Sequence, residues 1–306
     1  MKTPLLFALL LATAAPVFAV EPALNPYAAT IAPAEQFTSG VLAVEKHGSR
    51  GRPLILVPGL ASGAWAWQSV VRELSADYTL YVVTLPGFDG RPFGAGDGFD
   101  AARAGLRALI RERRLDHPVL IGHSMGAALG FAIGADMPQA LGGIVAIDGL
   151  PVFPGTDTMP AADRAAMAAG MKAQMAAATA ATFAQQQQAY MRTIGVRDMA
   201  QADQLAQLSS RSDPTAVGQY VAEVLALDLR PGLGKITAPI LVVAPFYDQD
   251  PGPWTAESKA TYYGALVAGA PHVQVRTVND SRHFVMFDQP QALTAMLRAY
   301  LAGLSR

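Results

Sequence analysis

Gly122-His123-Ser124-Met125-Gly126 sits between an apolar run, Pro118-Val119-Leu120-Ile121, and a small-residue stretch from Ala127 to Ala135. Strand, sharp turn and helix in that order are the setting a G-x-S-x-G elbow requires. Such a turn strains the serine backbone and lifts its hydroxyl clear of the sheet edge. Gly122 and Gly126 are read as positions where any Cβ would strike the closely packed strand and helix. Common residues make up the pentapeptide, so its setting and the rest of the chain decide its meaning.

Working outward, short apolar runs bounded by turn residues read as buried strands. They are Leu54-Ile55-Leu56-Val57, stopped by Pro58-Gly59, and Leu80-Tyr81-Val82-Val83, stopped by Pro86-Gly87. The elbow strand, Gly143 to Ile147, Pro239 to Val243 and Val273 to Val278 continue the series. Phe37 to His47 alternates loosely and is expected to be a first strand. Helical spacing marks Trp67 to Leu74, Asp100 to Leu115 and the closing stripe Leu293, Met296, Leu297, Tyr300, Leu301, Leu304. The cluster Arg111, Arg113 and Arg114 is expected at the solvated end of a helix, where cations are favoured. Strands alternating with helices predict a doubly wound, mostly parallel α/β sheet. The expected core is residues 37–150 and 231–306. Residues 151–230, rich in Ala, Met and Gln, interrupt the rhythm and predict a helical insertion. Because ligands of open parallel sheets bind beyond the carboxyl ends of the strands, an insertion between two core strands is expected to form a lid. Met167, Met171 and Met175, four apart, are read as one helix face: either a wall for an apolar substrate group or lid-on-core packing. Trp65, Trp67, Phe88 and Phe93 either line the pocket or belong to the core, and Gln185 to Gln188 is expected on a solvated face.

A serine hydroxyl needs a base, and the base needs a group that holds its tautomer. Of five histidines, His47 and His117 adjoin turns, His123 flanks the serine and is expected to point away from it, and His272 precedes the last strand. His283 follows that strand across Asn279-Asp280-Ser281-Arg282, on the sheet edge where Ser124 emerges, and is the expected base. The acid is sought at a strand end. Asp248, five residues past Val243, is favoured; Asp250 close behind is the alternative. Asp148, ending the strand after the elbow helix, is a third candidate, ranked lower and assigned to shaping the approach to the lid. Two backbone N–H groups are expected to hold an oxyanion, those of Met125 and of Leu60 in Pro58-Gly59-Leu60.

Composition narrows the classes. Of 306 residues 51% are hydrophobic, enough for a large core, and the formal net charge of −1 offers no field for nucleic acid. Lys2, the apolar Leu5 to Leu11 and small residues at Val17 and Ala19 fit a secretory signal peptide, residues 1–19, followed by an irregular lead-in over residues 20–36. The apolar stretch is short for a membrane span, so a periplasmic or secreted protein with no lasting membrane insertion is expected. There is no cysteine, which removes thiol nucleophiles, thiolate metal sites and disulfides. No G-x-G-x-x-G after a strand, P-loop or H-E-x-x-H occurs, so no cofactor and no metal is expected.

The chain resembles the α/β-hydrolase superfamily in its lid-bearing, esterase-like branch, over about residues 40 to 306. The resemblance rests on Val57-Pro58-Gly59-Leu60 with Trp65 and Trp67 downstream, Leu85-Pro86-Gly87-Phe88, and the elbow. It rests further on Pro239 to Val243 leading to Asp248, and on His283-Phe284-Val285-Met286-Phe287-Asp288-Gln289-Pro290. The order Ser124, Asp248, His283 is the family order. Many relatives carry His-Gly where this chain has Pro58-Gly59, and Gly where Pro245 stands before the acid, which leaves Asp248 and Asp250 open. A serine at the elbow argues against epoxide hydrolases and haloalkane dehalogenases of this fold. The resemblance implies a serine hydrolase of small or medium carboxylic esters. The alternatives are a C–C bond hydrolase, lactonase, thioesterase or perhydrolase on the same residues, or a ligand-binding module without activity. The oligomeric state is left open.

Overall fold

The computed structural model describes residues 27–304; the signal-peptide reading lies outside them. In chain order the elements begin with β1 (Glu35–Ser39), β2 (Leu42–His47) and β3 (Pro53–Val57). A 3-10 turn (Ala64–Trp67) leads into α1 (Gln68–Leu74), β4 (Thr79–Thr84), α2 (Phe99–Glu112), β5 (Val119–His123), α3 (Met125–Asp136) and β6 (Gly143–Ile147). Next come α4 (Ala161–Ala176), α5 (Ala180–Tyr190), a π turn (Met191–Gly195), α6 (Met199–Ser209), α7 (Pro214–Ala226) and a 3-10 turn (Arg230–Lys235). The chain ends with β7 (Ile240–Phe246), α8 (Ala256–Val267), β8 (Val273–Asn279), α9 (Val285–Asp288) and α10 (Pro290–Gly303).

The eight strands form one sheet in the order β1-β2-β4-β3-β5-β6-β7-β8. β1 and β2 are antiparallel additions at one edge, and β4, β3, β5, β6, β7 and β8 are parallel. This is the doubly wound α/β-hydrolase sheet. The stretch expected as one strand from Phe37 to His47 is instead a hairpin, because Gly40 adopts a positive φ of 55° and turns the chain. α8 was not foreseen. Its sequence signal is the capping box Thr255 to Ser258, in which each side chain receives a hydrogen bond from the other's backbone N–H.

Apolar runs become central strands because both faces of the sheet are covered. Ile55, Val57, Leu120, Ile144, Ala146 and Val242 point into the layer that packs α2, α3 and α8. Leu54, Leu56, Val119, Ile121, Val145 and Leu241 point into the opposite layer, which packs α1 and α10. All are at most 1% exposed, and burying each Val, Leu or Ile among them stabilises the fold by about 1.5–3 kcal/mol. The strand order reverses between β3 and β5, so the loops after these paired strands part and leave a crevice.

The helices α4 to α7 make an insertion between β6 and β7. Its neck is closed by a bridge between Val152 and Asp228 and by the Leu229 N–H on the Pro151 carbonyl, 2.8 Å. Asp198 and Asp213 cap α6 and α7, accepting from Gln201 and Thr215 N–H at 2.7 Å each. No helix among the described residues is long and apolar enough to cross a membrane.

Candidate active site

Ser124 stands between β5 and α3 with φ 53° and ψ −120°. That conformation costs on the order of 1–3 kcal/mol and persists because its surroundings fix it. Its N–H donates to the Ile147 carbonyl of the neighbouring strand end, 2.9 Å, and its carbonyl accepts from the Ala127 N–H, 2.9 Å. A Cβ on Gly122 would lie 2.2 Å from the Gly126 carbonyl oxygen, and one on Gly126 would lie 2.1 Å from the Val57 oxygen. Both glycines are therefore demanded by contact between α3 and the strands below it. The Ser124 side chain is half-buried, and its hydroxyl has no hydrogen-bond partner among the described residues.

His283 follows β8 on a loop tied to the insertion. Its N–H donates to the Ile194 carbonyl of the π turn, 3.1 Å, and the Phe284 N–H donates to Gly195, 2.9 Å. Asp288 fastens the same loop, accepting from the Arg282 N–H at 2.8 Å and the Arg197 N–H at 3.0 Å.

The imidazole meets Asp148, not Asp248: His283 Nδ1 lies 2.6 Å from Asp148 Oδ2. The sequence expects Asp248 against this imidazole; the structure places Asp148 there instead. Asp148 is the first residue past β6, the strand beside the elbow strand, and its N–H is held by the Val243 carbonyl at 3.0 Å. Its φ of 42° turns the chain immediately, which places the carboxylate under His283. Asp248 lies out on the loop after β7, exposed, with no hydrogen-bond partner among the described residues. Asp250, the alternative, is held by Arg282, whose Nε approaches Oδ1 at 2.8 Å and Nη2 at 2.5 Å. Pro245, flagged as a departure, lies inside β7, which runs on to Phe246 and carries the loop outward.

Burial pushes the Asp148 carboxyl up, but the hydrogen bond and charge of His283, the Lys259 charge and a hydrogen bond from Tyr263 outweigh it and hold it down at about 2. An ionised carboxylate only accepts, so Nδ1 of His283 is the donor of this hydrogen bond and Nε2 is the ring nitrogen turned away from the carboxylate. The Tyr263 hydroxyl donates to the other carboxylate oxygen, Oδ1.

The loop after β3 runs beside the elbow: a Cβ on Gly59 would fall 3.0 Å from Ser124 Cβ and 2.9 Å from His123 Nδ1. The N–H groups of Leu60 and Met125 have no hydrogen-bond acceptor among the described residues. Leu60 lies on the loop after β3 and Met125 is the first residue of α3 after β5, both at the crevice between these strands.

His123 packs against His283. It is wholly buried, its ring centroid is 4.4 Å from that of His283, and its Nε2–H donates to the His283 carbonyl at 3.0 Å. Burial, then the neighbouring His283, hold its imidazole well below the ordinary histidine range, so it stays neutral. Trp65 stacks on Phe284 and Phe287 and supports the histidine loop from the core, where Trp67 and Phe88 are also buried. The methionine stripe divides. Residues four apart drift by about 40° around a helix, so Met175 turns in against α7 while Met167 and Met171 remain 38% and 36% exposed. Of the glutamines, Gln187 is buried. A cavity of about 190 Å³ opens beside the Asp148–His283 pair, walled also by Ile194, Trp254, Lys259 and Arg282. Among the described residues no three His, Asp or Glu side chains are grouped to hold a metal ion.

The geometry meets known proteins at this point. Residues 54–296 match the model of the alpha/beta hydrolase family. N-formylmaleamate deformylase of Pseudomonas putida is 33% identical over 118 residues, covering 38% of this chain and 44% of that one. The pimeloyl-[acyl-carrier protein] methyl ester esterase of Aeromonas salmonicida is 26% identical over 119 residues, covering 39% and 46%. The chain thus spans under half the length of these curated relatives. In three dimensions the chain is similar to a thermophilic esterase from Thermogutta terrifontis, with a TM-score of 0.68 at 20% identity, covering 88% of this chain and 98% of that one, a likeness of fold. With four-fifths of its length inside the family match, and with the elbow and sheet built as that match requires, the chain belongs to the alpha/beta hydrolase family.

Proposed function

We propose that this chain is an exported serine hydrolase that cleaves carboxylic esters with small or medium acyl and alkyl groups, using Ser124, His283 and Asp148. The observation that carries the reading is the 2.6 Å contact between His283 Nδ1 and Asp148 Oδ2 at the strand ends where Ser124 emerges. His283 Nε2 takes the Ser124 proton as the oxygen attacks the ester carbonyl. The resulting oxyanion is held by the Leu60 and Met125 N–H groups, each worth on the order of 3 kcal/mol in such sites. His283 returns the proton to the departing alcohol. Water, deprotonated by the same nitrogen, then releases the acid from the acyl-enzyme. Asp148 stays ionised throughout and stabilises the imidazolium that forms at each step.

The insertion serves as the lid. Support comes from the π turn, which hydrogen-bonds the His283 backbone, and from Tyr190 at the end of α5, whose ring stands edge-on to His283 at 6.0 Å. The names of the relatives, a deformylase and a methyl ester esterase, support hydrolysis of acyl groups. Export rests on the sequence pattern of residues 1–19, and cell fractionation of the full chain tests it: protein held in the cytoplasm at full length refutes it.

A panel of p-nitrophenyl esters of graded chain length tests the chemistry. Turnover is expected to peak at short or medium acyl chains. Labelling by a fluorophosphonate probe is expected in the wild type and absent in Ser124→Ala. Labelling with negligible turnover across the panel would move the assignment to another acyl chemistry of the same residues. A folded wild type that resists the probe would mark a binding module.

A further inference from the structure

We propose that Tyr263 is the positioning residue of the acid: its hydroxyl holds Asp148 Oδ1 so that Oδ2 stays on Nδ1 of His283. This rests on the reading of Asp148 as the acid of the triad. A carboxylate largely withdrawn from solvent has two oxygens to satisfy, and here each has one dedicated side-chain donor, His283 for Oδ2 and Tyr263 for Oδ1. The Asp148 backbone is already fixed by the Val243 carbonyl, so the freedom left is rotation of the side chain. The Tyr263 hydrogen bond removes it.

The phenol is itself well anchored. Tyr263 is 5% exposed on α8, whose start is locked by the Thr255–Ser258 capping box. Burial and the nearby Asp148 push its hydroxyl far above the ordinary tyrosine range, which keeps it a donor. Lys259, one turn earlier on the same helix, stands over the Tyr263 ring at 5.6 Å. The division of labour is then visible in the chain. The loop after β7 sends Asp250 to Arg282, and the helix that follows sends a phenol to the acid on β6.

The prediction is for position and for proton affinity. The groups facing the Asp148–His283 pair are Tyr263 and Lys259 from α8, Tyr190 from α5 and His123 from β5. The Arg282–Asp250 pair adjoins it in the chain. None but Tyr263 changes in Tyr263→Phe. Without the phenol, the carboxylate charge is drawn more fully to the imidazole, which favours the imidazolium. The acid limb of the kcat/KM profile is therefore expected to move to higher pH, with kcat lowered roughly tenfold and KM within twofold. Tyr262→Phe, which removes only the contacts to Asp157 and Gly155, is the control and is expected to leave both unchanged. A near-isosteric test places 3-fluorotyrosine at position 263. A more acidic phenol is a stronger donor, so the limb is expected to move to lower pH. An unmoved limb in either folded variant, with wild-type kcat, overturns the proposal. If Asp148→Asn is inactive in that case, the triad reading survives. If Asp148→Asn retains wild-type kcat, the triad reading is what falls.

Discussion

The ends of β6 and β7 both carry aspartates, and they have opposite fates. Past β6 the chain turns within one residue, and Asp148, its side chain 12% exposed, has both carboxylate oxygens engaged, by His283 and Tyr263. Past β7 the strand runs on to Phe246 and a loop carries Asp248 into solvent and Asp250 onto Arg282. β6 is the immediate neighbour of the elbow strand and β7 is one strand further out. A carboxylate attached directly to the inner strand needs no reach, whereas one on the outer strand depends on its loop. The comparison teaches that which carboxylate meets His283 is set by how soon the chain turns after a strand, not by how many residues follow an apolar run.

The largest test breaks the pair on β6. Asparagine at 148 offers one oxygen, which Tyr263 retains, and presents an NH₂ to His283 Nδ1. Two donors then face each other, so the imidazole shifts its proton to Nε2 and loses the lone pair that would take the Ser124 proton. Asp148→Asn is expected to lower kcat by about 10³- to 10⁴-fold with KM little changed. Steady-state kinetics on the preferred ester checks this. A loss under tenfold would return the acid to the β7 loop.

The same contrast has a signature in acid stability. The folded Asp148 carboxyl sits at about 2, below the unfolded value near 3.8. Its contribution is therefore fully present above about pH 4 and is lost as pH falls through 2. Between pH 5 and pH 2 the wild type is expected to lose roughly 2 kcal/mol more of unfolding free energy than Asp148→Asn. Urea titrations at stepped pH measure it; parallel curves for the two proteins would contradict the pairing.

The sheet was legible because its signals are local. Each buried strand announces itself as an apolar run ended by Pro-Gly or a polar loop, and the elbow's glycines follow from contacts that any such turn makes. The place of His283, on the loop after the last strand, was legible from its spacing. The contacts of Asp148 were hard to read because they depend on a turn one residue long and on two partners 115 and 135 positions away. Tyr263 was invisible for the same reason, although Thr255 and Ser258 announced its helix. The insertion's helices showed in composition, but the burial of Met175 and exposure of Met167 and Met171 depend on where α7 lies, which residue spacing does not encode.

Past β7 the structural strap can be loosened without touching Asp148. Arg282 binds Asp250 and, through Nη1, the Arg192 and Val196 carbonyls at 2.9 and 3.2 Å, so one guanidinium joins the β7 loop, the histidine loop and the insertion. Lysine cannot reproduce that fork. Arg282→Lys is expected to reduce stability by about 1–3 kcal/mol and kcat/KM by roughly three- to tenfold. Thermal melts and kinetics read the two effects. A variant as stable as the wild type would mean the three segments are held by other contacts.

The smallest expected effect is the sharpest for the comparison. Asp248 is exposed, holds no partner among the described residues and stands at the position where the family order places the acid. Asparagine keeps its size and removes its charge, so Asp248→Asn is expected to change stability by no more than about 0.5 kcal/mol and kcat/KM by no more than about twofold. If the loop after β7 swings inward during turnover and delivers this carboxylate to His283, the substitution would instead mimic Asp148→Asn. Measuring the two side by side, with Ser124 accessibility read by the fluorophosphonate probe, separates an acid fixed on the inner strand from one brought in by a moving loop.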